Sequence, residues 1–235
     1  TTIYYIFTVD MQGGLGLSAG DADGVVSGMR YSEVDMTGDG GLGEIVLTRK
    51  NIKLVDTTTE GLTAVKDANG IDYWVVSHGT HNNKYIAFHI TGAGVDTIPV
   101  ISNTGPWVNA TANFPHFGEG AIGYMKISPN GLKIATCHYK ENKELVISDF
   151  NPTTGMVSNS ISTIINLDST SGGPYGVEFS NCNEYLYVTE DFTTFGVASN
   201  PYPIKTIIWR FDLNASDVMA SKTLFQQINN ELIGA

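Results

Sequence analysis

Apolar residues in this chain come in short alternating runs separated by polar, glycine-containing breaks, a period-two pattern that predicts β-strands joined by tight turns. The stretch from Gly123 to Ile161, GYMKISPNGLKIATCHYKENKELVISDFNPTTGMVSNSI, shows it most plainly. Tyr124 to Ser128, Lys133 to His138, Glu144 to Phe150 and Met156 to Ile161 read as four strands. Breaks at Pro129-Asn130-Gly131, Lys140 to Lys143 and Asn151 to Gly155 separate them. Downstream the plan returns as Tyr175 to Ser180, an Asn181-Cys182-Asn183 turn, Tyr185 to Glu190 and Ile207 to Leu213. Upstream it appears as Leu62 to Lys66, Asp67 to Gly70, Asp72 to Ser77 and Tyr85 to Thr91. Self-similarity at a period of roughly 50 to 60 residues is the mark of a repeat fold.

Ile3 to Val9, Met29 to Met36 and Gly43 to Leu47 give a first unit that has its second, third and fourth strands and lacks a first. The expected units are therefore 1–61, 62–120, 121–173 and 174–229, with residues 230–235 reading as the start of a further first strand. Four-stranded antiparallel units that bury their faces against their neighbours make an all-β fold, a β-propeller or part of one. Four units and a fraction imply further blades from a longer chain or from a partner.

Composition narrows the function classes. At 235 residues and 42% hydrophobic the chain can bury a core, and no apolar run is long enough to span a bilayer. A formal charge of -11 with thirteen basic residues argues against nucleic-acid partners, which need a basic surface. Two cysteines are too few for a disulfide scaffold, and Cys137 and Cys182, at opposite ends of neighbouring units, read as unpaired. The opening Thr-Thr-Ile-Tyr-Tyr has neither an initiator methionine nor a secretory leader and reads as strand, which implies processing or a piece of something longer.

Several separate stretches together carry a family resemblance. They are Tyr4 to Asp10, MRYSEVDM from Met29 to Met36, Gly41-Leu42-Gly43-Glu44, LTAVKDANGIDYWVVSHG from Leu62 to Gly79, GYMKISPNGLKIA from Gly123 to Ala135, and YGVEFS from Tyr175 to Ser180. They resemble the propeller region of large surface proteins of Bacteroidota secreted by the type IX system. The resemblance implies an extracellular or cell-surface location. The C-terminal sorting domain usual in that family has no counterpart within these residues. Asp56-Thr57-Thr58, Asp96-Thr97-Ile98 and Asp168-Ser169-Thr170 resemble the O-glycan acceptor pattern of the same phylum, at Thr57, Thr97 and Ser169, although such pairs also form ordinary turns.

In a propeller the turns after first and third strands share one face, and those after second and fourth strands share the other. The first set is short and rich in Asn and Gly, and reads as structural. The second set is longer and is the expected recognition face. It gathers His78 to His81, His138-Tyr139, Glu190-Asp191 and the segment Asn103 to Gly120, with Trp107, Phe114, His116, Phe195 and Tyr202 as candidate contacts because exposed aromatics supply stacking faces. His78, His81, His138 and Glu190 would share that face and are candidate ligands for zinc or a similar ion, the plainer reading being hydrogen-bonded surface groups.

Asp21 and Asp23 hold part of a calcium-loop pattern, and Asp35 to Gly40 another part. Val46 stands where the second would need its bidentate carboxylate, so a hairpin turn explains it equally well. Nucleophile-elbow, phosphate-loop and His-Glu-x-x-His motifs are missing, and Gly13-Gly14-Leu15-Gly16 lacks the strand-then-helix setting of a dinucleotide site. Val65, Lys126 and Glu178 share one slot of the first strands, where Lys126 and Glu178 read as an ion pair before a catalytic one.

The sequence thus leads first to a non-enzymatic surface module that binds a protein or glycan ligand through its long-looped face, with no cofactor. A secreted propeller enzyme of the lactonase or lyase kind, with an axial metal or acid–base group, is the alternative. A spacer that shields neighbouring domains is the third.

Overall fold

The computed structural model describes residues 2–9, 28–108, 112–113, 116–117, 119–139, 142–165, 172–192 and 205–229. The first sheet holds β1 (Ile3–Thr8), β2 (Met29–Asp35), β3 (Glu44–Ile45) and β4 (Ile52–Val55). The second holds β5 (Leu62–Lys66), β6 (Tyr73–His78), β7 (Asn82–Thr91), β8 (Gly94–Val95) and β9 (Val100–Val108). A small hairpin of β10 (Ala112–Asn113) and β11 (His116–Phe117) follows. The third sheet runs β12 (Met125–Ile127), β13 (Lys133–His138), β14 (Glu144–Phe150), β15 (Val157–Ile164). The fourth runs β16 (Gly173–Phe179), β17 (Tyr185–Phe192), β18 (Lys205–Asp212), β19 (Thr223–Asn229). Strands within the last two sheets pair antiparallel in sequence order.

What turns these sheets into blades is burial on both faces of their middle strands. From Trp74 to His78 and from Ile134 to His138 no residue is exposed, the pattern of strands sandwiched between neighbours. Alternation then assigns each side chain a direction. Val75, Ile86, Phe88 and Ile90 pack with Met29, Tyr5 and Phe7 of the first sheet. Their neighbours Trp74, Val76, Tyr85 and Ala87 pack with Met125, Ile134 and Phe150 of the third. Ala135, Cys137, Leu145 and Ile147 in turn meet Val177, Phe179, Leu186 and Phe211 of the fourth. Three cores between four consecutive sheets, with the first strands β5, β12 and β16 side by side, make this a β-propeller arrangement of four-stranded antiparallel blades.

The first sheet is three strands wide: β1 pairs only with β2 among the described strands, and β3 and β4 lie end to end on the other edge of β2. Sequence pattern found β3 but missed β4, a short strand that follows a 3-10 turn at Leu47–Arg49. The segment from Asn103 to Gly120, a loop by its sequence pattern, instead continues β9 as far as Val108, through a register shift against β7 that spans Gly105, whose φ of 81° suits glycine.

The turns after first strands close on their own side chains. Asp67 accepts from the Asn69 amide at 2.8 Å, and Asn130 accepts from Ser128 Oγ at 2.7 Å and the Leu132 amide at 3.1 Å. Bonds at this end also tie blades together: the Asn130 amide donates to Asn183 Oδ1 at 3.0 Å, and Trp74 Nε1 of β6 donates at 2.8 Å to the Pro152 carbonyl, in the turn after β14. Gly155 is required beside that tryptophan, since a Cβ there would sit 2.6 Å from the indole ring. Asp35 accepts from both the amide and the hydroxyl of Thr37, at 2.9 and 2.8 Å, in the connection between β2 and β3. Both cysteines are free thiols, Cys137 buried and Cys182 exposed.

Candidate functional site

At the opposite end, which we call the rim, second strands finish and first strands begin. Counting from the matching turn bonds Asp67 to Asp72, Ser128 to Lys133 and Ser180 to Tyr185 puts Ser77, His138 and Glu190 in one slot and His78, Tyr139 and Asp191 in the next. The slots point to opposite faces, so His78 of the second blade meets His138 of the third. Their rings lie 5.6 Å apart edge to face, and both side chains are about 1% exposed. His78 Nδ1 sits 2.7 Å from the Gly79 carbonyl, which takes a donor there and leaves Nε2 as the acceptor nitrogen of the neutral ring. His138 is bonded to the Gly120 backbone, and its Nε2 is buried without a protein partner. Burial pushes His78 down to about 4 and His138 to about 3, so both are neutral.

By sequence pattern His138 closes the strand from Lys133, whereas His78 falls just past the strand that ends at Ser77. Cross-strand pairing of His78 with Tyr85 extends that strand by one residue to include it, and His138 pairs with Glu144 at the end of its own. The other proposed ligands go elsewhere. Glu190, also fully buried, accepts from Trp209 Nε1 at 2.7 Å within its own blade, and His81 stands exposed in a turn with φ 55°. Among the described residues no group of three His, Cys, Asp or Glu side chains gathers as a metal site. Asp21 and Asp23 lie outside the described residues, as do Phe114, Phe195, Tyr202, Ser169 and the tail from 230 to 235. For His116 the backbone alone is described, paired with Asn113. Trp107 is 57% exposed at the rim end of β9, an edge-strand residue whose carbonyl accepts from Asn142 Nδ2 at 3.1 Å.

What sequence reasoning missed lies where the third and fourth blades meet. Tyr124, just before β12, and Tyr175, early in β16, meet with rings tilted at 38° and centres 5.5 Å apart, and Tyr139 packs edge-on against Tyr175 at 5.6 Å. The Tyr124 amide donates to the Tyr175 carbonyl at 2.9 Å, so the two first strands fix the pair. Gly172 makes room for the Tyr139 ring, whose hydroxyl a Cβ would approach to 2.3 Å. Two carboxylates flank the cluster. Burial, then the neighbouring Tyr124, Glu60 and Asp191, push the Tyr175 hydroxyl up. Burial and Glu190 raise Asp191 against a hydrogen bond from Thr206, 3.2 Å away. The signal was present in the repeat, since YMKIS and YGVEFS both open first strands on tyrosine. Lys126 and Glu178, further along the same strands, form an exposed ion pair at 3.0 Å.

Set against known proteins, the chain matches no family profile and no curated protein. Solved structures do resemble it. Kuenenia stuttgartiensis hydrazine synthase matches at 15% identity over 83% of this chain and 47% of that one, with a TM-score of 0.45. The periplasmic gluconolactonase PpgL of Pseudomonas aeruginosa matches at 9% over 97% and 69%, at 0.46. The Cps50 (Swd1) β-propeller domain of Myceliophteria thermophila matches at 8% over 86% and 54%, at 0.39. The chain spans about half to two thirds of the length of these structures. At such identities the likeness extends to no ligand and no residue role. No helix among the described residues is long and apolar enough to cross a membrane.

Proposed function

We propose that this chain is a secreted or cell-surface binding module whose rim recognises a glycan, with Tyr124, Tyr175 and Trp107 as contacts and Glu60 and Asp191 as hydroxyl acceptors. The observation that carries the reading is the tyrosine cluster flanked by two carboxylates. Aromatic faces stack on the apolar side of a sugar ring, and carboxylates accept from its hydroxyls. The acidic chain favours neutral or amino sugars over acidic ones.

Glycan-array binding followed by titration calorimetry tests this. Tyr124→Ala and Trp107→Ala together are expected to weaken the best ligand at least about tenfold, the equivalent of about 1.4 kcal/mol. Unchanged affinity would remove the rim from the reading. The resemblance to Bacteroidota surface proteins adds export by the type IX system and O-glycans at Thr57 and Thr97, both exposed, and at Ser169. Intact-mass measurement on native material checks the glycans, and an unmodified mass leaves only turns.

A second reading rests on Asp191. A carboxyl raised by burial beside a tyrosine is the environment of an acid–base group, and it supports the lactonase or lyase alternative. Turnover of sugar lactones that Asp191→Asn abolishes would favour it over simple binding.

A further inference from the structure

The blade interfaces inside the chain are not alike. Between the third and fourth blades Ala135, Cys137, Leu145 and Ile147 meet Val177, Phe179, Leu186, Val188 and Phe211, all apolar and buried. Between the second and third blades a row of hydroxyls crosses the core as well. Thr104 Oγ1 of β9 donates to Ser160 Oγ of β15 at 2.9 Å, and Ser160 Oγ lies 2.7 Å from Ser148 Oγ of β14. Ser148 is bonded to the Tyr85 hydroxyl of β7, which lies 3.2 Å from Thr136 Oγ1 of β13. Tyr85, Thr136 and Ser148 are each 1% exposed. At its rim end the row borders His78, edge-on to the Tyr85 ring at 4.7 Å, and through it His138.

Thr104 and Tyr85 come from the second blade, and Ser160, Ser148 and Thr136 from the third, so the bonds are made across the interface. The fourth blade could not stand in for the third. Matching the turn bonds Ser128 to Lys133 and Ser180 to Tyr185 puts Ile134 and Thr136 in the slots of Leu186 and Val188. Ser148 stands opposite Ile134, and Phe211 opposite Leu186, so Ser148 and Phe211 hold equivalent positions. Set against the fourth blade, the Tyr85 hydroxyl would meet Val188 and Phe211 where it now meets Thr136 and Ser148. It would be buried with nothing to bond, which costs its full desolvation. Purely apolar faces tolerate such exchanges with modest repacking, and blades built on one plan offer several of them.

We infer that the hydroxyl row between the second and third blades is a docking code, which admits the third blade as the partner of the second and rejects other blades of the same plan. It acts on the choice among folded arrangements rather than on overall stability, because each hydroxyl gives up water for the bonds it makes. The inference is independent of what the rim binds.

Refolding of the full chain from urea tests it. Tyr85→Phe, Thr136→Val and Ser148→Ala together remove the middle of the row with little change of shape. The triple variant is expected to keep a cooperative urea transition with a midpoint near that of the unmutated chain. On refolding, its mispaired fraction should rise about tenfold over the unmutated chain, read as a second set of backbone amide resonances or as oligomers in size-exclusion chromatography. Refolding of the triple variant to one species, as completely as the unmutated chain, would overturn the proposal. If the triple variant does not fold, Tyr85→Phe alone decides. Mispaired species in that single variant support the code, whereas a lower midpoint with one native species means that the row serves stability only and overturns it.

Discussion

The two ends of the same blades treat polar groups in opposite ways. At the turn end the side-chain oxygens of Asn130, Asn151 and Asn183 are used locally or across to the next blade, with acceptor distances of 2.7 to 3.1 Å. At the rim, burial carries a cost: His138 Nε2 has no protein partner, and burial raises the pKa of Asp191 and of Tyr175. A satisfied turn contributes stability and little else, whereas unsatisfied groups cost stability and mark where chemistry or binding is selected. One blade plan therefore carries scaffold at one end and recognition at the other.

The largest expected effect breaks the scaffold end. Trp74 is 5% exposed, stacks on His89 at 4.3 Å and reaches Pro152 of the next blade, so Trp74→Ala should cost about 3–5 kcal/mol in urea unfolding. A loss below 1 kcal/mol would mean that the blades are not tied there. Next comes the rim's response to acid. His78 and His138 are neutral when folded, and in the unfolded chain they take up protons below the ordinary value near 6.5. The unfolded state then binds more protons, so stability falls as pH drops from 6.5 towards 4, by up to about 1.4 kcal/mol per unit for each histidine. His138→Phe should flatten that slope, and an unchanged slope would contradict the buried pair.

A smaller effect belongs to the staple between turns. Asn183→Gly keeps the left-handed conformation at φ 62° and removes the bond to Asn130, for a loss of about 1 kcal/mol. Smallest is the ion pair in mid-strand, at neither end. Lys126→Ala should change stability by under about 1 kcal/mol, because both partners are well exposed.

Much of the scaffold was legible in sequence because its signals are local. Pro129-Asn130-Gly131 and Asn181-Cys182-Asn183 announce turns, and alternation from Lys133 onward announces strands. The short β4 carried no such signal and is held by pairing with β2. The rim was less legible because its geometry arises between blades. His78 and His138 are sixty residues apart, and nothing local pairs them until their strands are stacked. A tyrosine opening a strand, as Tyr124 and Tyr175 do, reads as core filler, and only the stacking of two first strands turns the pair into a platform.

The division between the ends is tested most directly by measuring ligand affinity and unfolding free energy together on one variant from each. Tyr124→Ala is expected to lose at least about tenfold in glycan affinity, which is about 1.4 kcal/mol of binding, with folding stability nearly intact. Asn183→Gly is expected to lose stability and keep affinity. If both variants lose affinity alike, or if only the turn variant does, recognition does not reside at the rim.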